Sequence, residues 1–205
     1  MKPCIPQSWH PRRRDAFTLI ELLVVIAIIA LLGALVAGLA TRSSEKKVKS
    51  LATVLLKQVE LAIGSYQDKL GVLPPDNPGN PARPPLFYSL KGVLRDDMGN
   101  YETHENQPLR SGSELLAEFG PKVQGFINSG LSRADFTDFA SNLKESHVDK
   151  DSNGFRFIVM PYKGPEGEFN PVRYDASSAN RHNRNGYDLW VEVVIGNKTN
   201  IIGNW

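Results

Sequence analysis

The chain reads as an α+β protein, with a long N-terminal helix laid on a small antiparallel sheet from the C-terminal third. Three observations predict this. An apolar run from Phe17 to Ala40 passes, with no proline, into a stripe of apolar residues that continues to Leu70. Short helical patterns occupy the middle of the chain. The last third then turns to alternation, most clearly in Tyr187 to Ile195 (YDLWVEVVI).

The apolar run reads FTLIELLVVIAIIALLGALVAGLA and follows Arg12-Arg13-Arg14-Asp15-Ala16. Its length, at about 1.5 Å per residue, covers roughly 36 Å, enough for a hydrocarbon core of about 30 Å. A secretory signal would carry a shorter apolar region, about 7–15 residues, ending at a small-residue cleavage site. Glu21 sits inside the run. A carboxylate there costs at least about 2.5–3.5 kcal/mol on insertion scales, so it calls for a counter-charge. Cutting the chain between Ala16 and Phe17 would supply one. The new Phe17 amine would lie one helical turn from Glu21, because positions i and i+4 share a face. It could neutralise its own carboxylate or that of a neighbouring copy, which makes the acid a device for registering subunits. An uncleaved anchor with an incidental glutamate is the competing reading.

Phe17-Thr18-Leu19-Ile20-Glu21, continuing through Leu22-Leu23-Val24-Val25-Ile26-Ala27, resembles the class III signal of type IV pilins and type II secretion pseudopilins. The resemblance implies a prepilin peptidase that cuts after Ala16 and N-methylates Phe17, with Phe17 and Glu21 acting in assembly. It also implies self-assembly with other pilins or pseudopilins, an inner-membrane assembly platform, and a single span in the lipid bilayer. The leader would then be cytoplasmic and the C-terminal domain periplasmic. Ala16 departs from the usual glycine, so cleavage is expected to be slower. Charge does not fix orientation. Lys2, Arg12, Arg13 and Arg14 precede the run, while Arg42, Lys46, Lys47 and Lys49 follow it.

The 205 residues leave room for one span and one modest globular domain. The expected divisions are a leader at 1–16, a transmembrane half-helix at 17–40, an exposed amphipathic half at 41–73, a variable region at 74–148 and a sheet at 149–205. Losing the leader takes the formal net charge from +2 to −1, which argues against a nucleic-acid partner. The single cysteine, Cys4, would leave with it. Many type IV pilins close a C-terminal loop with a disulfide, so its absence leans towards the pseudopilin branch.

Val48, Leu51, Leu55, Val59, Ala62, Tyr66 and Leu70 recur at steps of three and four, extending one helix from about Phe17 to Leu70. Gly71 is placed as its cap and Pro74-Pro75 forbids continuation. Gly33 and Gly38 suit either a loosened helix or close helix packing. Asp76 to Pro85 reads as a loop. Helices are expected over Pro85 to Leu94, over Ser113 to Phe119 ending at Gly120, and from Ser132 through Phe136, Phe139 and Leu143. Phe155 to Met160 predicts a strand. Gly196-Asn197-Lys198 turns the Tyr187–Ile195 strand into a hairpin. The Tyr187-Asp188-Leu189 strand, the Asn204-Trp205 ending and the Gly71 to Pro75 exit all resemble major pseudopilins.

Asp149, Asp151, Asn153 and Gly154 spell the opening of a calcium loop, but Met160 holds the place of the bidentate acid. An Asp/Asn/Gly turn is the favoured reading, so no cofactor is expected and calcium is not favoured. His104, His147 and His182 lack metal-ligand spacing and read as surface residues. Catalytic and phosphate-loop motifs are missing from the sequence, so an enzyme is not expected. The basic stretch Arg181 to Gly186 reads as a solvated loop. The expectation is a pseudopilin-like structural subunit of a type II secretion or related filament. A subunit of a surface type IV pilus, serving adhesion, motility or DNA uptake, is the alternative.

Overall fold

The computed structural model describes residues 18–102 and 110–205, with the side chains of 35–44 outside that description. The chain forms two compact units, Met1–Ser44 and Glu45–Trp205. Helix α1 spans Leu19–Leu70. It starts two residues later than the sequence suggests and ends where expected. Gly71 adopts φ +75°, and its N–H donates to the Gln67 carbonyl at 2.8 Å.

In the first unit, Leu19 to Leu32 leave their apolar side chains uncovered by the chain itself, from 48% exposed at Val24 to 81% at Leu19. The span expected at 17–40 includes residues 35–40, whose side chains lie outside that description. Among the described residues, no helix is long and apolar enough to cross a membrane.

In the second unit, α1 buries Val48, Ala52, Leu55, Leu56, Val59, Ala62, Ile63 and Tyr66. The stripe thus sits slightly round the helix from the one expected. Leu51 is half exposed, and Ala52, Leu56 and Ile63 take inward places. They share one core with Tyr174, Leu189, Val191 and Val193 from the C-terminal sheet. That sheet is antiparallel, with order β6 (Arg173–Asp175), β7 (Asp188–Ile195) and β8 (Lys198–Gly203). The β7–β8 hairpin pairs Ile195 with Lys198 through to Trp190 with Gly203, as its sequence predicts. A second ribbon pairs β4 (Val148–Lys150) with β5 (Arg156–Ile158). The C-terminal third therefore holds two small antiparallel sheets in place of one.

The 74–148 region has more structure of its own than the sequence suggests. Among the described residues it holds α2 (Leu86–Lys91), β1 (Val93–Arg95), β2 (Tyr101–Glu102), α3 (Gly112–Phe119), β3 (Ser129–Gly130) and a 3-10 turn at Glu145–His147. The helix expected over Pro85 to Leu94 stops early because Gly92, at φ +79°, caps it back to Tyr88. A Cβ on Gly92 would come within 2.1 Å of the Phe136 ring, so only glycine fits. Val93 to Arg95 then pair antiparallel with β2 and parallel with β3. Helix α3 begins in a full capping box between Ser111 and Glu114 and ends at Gly120.

The helix expected from Ser132 does not form. Ser132 closes a local loop with Asp135, donating from N–H at 2.7 Å and from its hydroxyl at 3.0 Å. The N–H groups of Thr137 and Phe139 donate to Asn128 Oδ1 and the Leu90 carbonyl. Donors spent on distant partners cannot build an i→i−4 ladder.

Candidate functional site

The sequence places the candidate processing and assembly site at Ala16, Phe17 and Glu21. Ala16 and Phe17 lie outside the described residues. Glu21 is described, and it is not idle. Its Oε2 accepts the Thr18 backbone N–H at 2.8 Å and the Thr18 hydroxyl at 2.9 Å. The Glu21 N–H donates back to Thr18 Oγ1 at 3.3 Å. Thr18 precedes the first helical residue and Glu21 is the third, so the pair is a capping box. It satisfies donors that the first helical turn leaves without partners, and it places a negative charge at the positive end of the helix.

Thr18 is the participant that reading Glu21 alone overlooks. The T-x-x-E spacing ahead of an apolar run was the available signal. The box also gives the carboxylate a neutral partner within its own chain. A hydroxyl and an amide offset part of the cost of placing the acid among apolar residues, but they leave its charge unneutralised.

Around Asp151 the structure forms the turn. Asp151 Oδ1 accepts the N–H groups of Asn153 at 3.0 Å and Phe155 at 2.8 Å, while its other oxygen meets Arg83. Gly154 adopts φ +82° and donates to the Asp151 carbonyl. Asp149 stands exposed on β4, and Met160 is buried in the core. Among the described residues, no group of three acids, histidines or cysteines is placed to hold a metal ion.

His104 lies outside the described residues. His147 is half buried, and burial lowers its pKa. His182 is exposed as expected but engaged. Its ring stacks on Trp205 with centroids 4.0 Å apart and planes 2° from parallel, and Nδ1 lies 3.1 Å from Asp188 Oδ2. The chain's last residues thus fold back onto the basic loop at 181–186. Asn204 Oδ1 accepts from the Leu189 N–H at 3.0 Å and from Asn183 Nδ2 at 3.1 Å, and Asn204 Nδ2 donates to the Tyr187 carbonyl at 3.2 Å. Arg181 is turned inward on the same loop, donating to the Ser178 and Arg184 carbonyls.

Residues 11–37 match the family described as the Prokaryotic N-terminal methylation motif. This is the prepilin-type signal of type IV pilin-like proteins, and it contains Ala16, Phe17, Thr18 and Glu21. No curated protein and no solved structure matches the chain.

Proposed function

We propose that the chain is the precursor of a pseudopilin-like filament subunit, anchored in the inner membrane by its 17–40 run and assembled into a type II secretion or related filament. The observation that carries this reading is the prepilin signal at 11–37, with one acid set in an apolar helix. A prepilin peptidase cuts between Ala16 and Phe17 and methylates the new terminus. The Phe17 amine then provides the charge that Thr18 cannot, to Glu21 of its own chain or of the next. The uncovered side chains from Leu19 to Leu32 support the same reading, because an apolar surface of that extent needs lipid or other helices around it. The subunit's role is structural and not enzymatic, and neither calcium nor another cofactor enters it.

A subunit of a surface type IV pilus is the second reading. The 74–148 region, with its own sheet, suits a specialised member of either system. A secretin and secretion ATPase encoded beside the gene would favour secretion; a retraction ATPase would favour the pilus.

Glu21→Ala tests the mechanism. The variant is expected to insert into the membrane like the wild type but to enter filaments slowly or not at all. Normal filaments from Glu21→Ala would overturn the registration role.

A further inference from the structure

The last strand of the C-terminal sheet, β8, is paired along one edge only. The Asn204 N–H donates to the Leu189 carbonyl at 3.1 Å, which sets the phase of the β7–β8 ladder. By alternation Ile202, Asn200 and Lys198 exchange backbone bonds with β7, while Thr199, Ile201 and Gly203 turn their N–H and C=O groups away from it. Among the described residues, nothing is bonded to those outward groups. The opposite side of the sheet is covered, because the Tyr174 N–H of β6 donates to the Pro81 carbonyl at 3.0 Å. Open edges are usually blunted by proline, a bulge or charges along the strand. β8 carries one charge, Lys198 at its turn end, and its middle holds Ile201, 61% exposed.

Charge and phase decide what can lie along this edge. A parallel copy in register would set Lys198 beside its equivalent, about 4.8 Å away. An antiparallel copy centred on Ile201 sets Lys198 opposite Asn204 instead, so the two lysines stand six positions apart. That is about 20 Å, beyond a Debye length of about 8 Å at physiological salt. In the same register Ile201 faces Ile201 and Thr199 faces Gly203, so each outward N–H meets an outward C=O.

We propose that β8 pairs antiparallel with β8 of a second copy, joining the globular units of two waiting subunits edge to edge. The proposal rests on the membrane-anchored reading above. The contact is about 20 Å long and about 10 Å deep, roughly 200 Å² per copy against about 800 Å² for a stable interface. It is therefore weak between dilute chains and fills where a shared bilayer concentrates them. A two-fold contact uses the same surface on both partners and closes on itself, so it cannot extend a filament. The pair belongs to subunits in the membrane, before assembly.

The test uses the full chain carrying Cys4→Ser and one new cysteine, from Ile201→Cys or Asn197→Cys, reconstituted into phosphatidylcholine vesicles and oxidised. The proposed register sets the two positions 201 about 5.5 Å apart between Cα atoms, within disulfide reach, and keeps the two positions 197 far apart. Disulfide-linked dimers are expected from Ile201→Cys and not from Asn197→Cys, and they should fade as lipid per chain is raised. Adding Thr199→Pro removes an outward N–H that bonds nothing in its own chain, so linking at 201 should be lost while the urea midpoint holds. Thr199→Val keeps that N–H and should link as before. Should Thr199→Pro lower the midpoint, the contrast between 201 and 197 still decides. Equal linking at 201 and 197, or linking at 201 untouched by a folded Thr199→Pro, would overturn the pairing and leave the anchor standing. A chain that fails to float with the vesicles would overturn the anchor, and the pairing with it. Filaments are expected to survive Thr199→Pro; their loss would make this edge a growth contact and also overturn the proposal.

Discussion

The Tyr174 hydroxyl donates to the Pro74 carbonyl at 3.0 Å, with both residues buried. This one bond ties strand β6 to the loop by which the chain leaves α1. Tyr174→Phe would keep the ring and leave the carbonyl without a partner. A buried acceptor left unpaired costs about 1–3 kcal/mol. The urea midpoint is expected to fall by a corresponding amount at unchanged slope.

Acid is expected to loosen the same region. Asp76 is buried, which opposes its ionisation. Hydrogen bonds from Ser177 and the Ala176 N–H, together with the Lys122 ammonium, outweigh that and hold its carboxyl below the ordinary range. Asp188 is likewise opposed by burial and held low by the Asn183 and His182 N–H groups and the His182 ring. A depressed folded pKa means stability that is complete above the unfolded value of about 4 and lost as pH falls through the folded one. Urea midpoints measured against pH should drop on the acid side of about 4. Asp76→Asn should be less stable at neutral pH and show a shallower acid limb. A limb as steep as the wild type's would remove Asp76 from the account.

The C-terminal fold-back depends on a bare Cα. A Cβ on Gly203 would lie 2.5 Å from the Trp205 ring. Gly203→Ala is therefore expected to push Trp205 off His182 and change tryptophan fluorescence. Asn204→Ala, which strips the Leu189 N–H of its side-chain acceptor, should cost about 1–3 kcal/mol. Unchanged fluorescence in Gly203→Ala would show that the indole packs elsewhere in solution.

Thr18→Val removes the hydroxyl from the capping box while preserving shape. The expected cost at the start of α1 is about 1 kcal/mol, read as faster amide exchange at Glu21 and Leu22 in detergent micelles. Glu21→Gln retains an acceptor for the Thr18 N–H, so it should fray less than Thr18→Val.

Much of this architecture was legible in the sequence because local rules agreed with tertiary ones. Gly71 ends α1, Gly196 turns the β7–β8 hairpin, and Gly120 ends α3 as their chemistry dictates. The middle of the chain was harder to read. Ser132 looks like a helix cap, yet its neighbours' N–H groups are taken by Asn128 and Leu90, residues no local pattern points to. β4 and β6 are three residues each, too short to show alternation. At the candidate site, Glu21 stood out because a charge in an apolar run is costly. Thr18 did not, because a hydroxyl there costs little.

The intact mass of the protein recovered from cells that hold a prepilin peptidase tests the central claim most directly. A mature chain beginning at Phe17 and heavier by one methyl group is the predicted result. A chain that still carries residues 1–16 while forming filaments would contradict it.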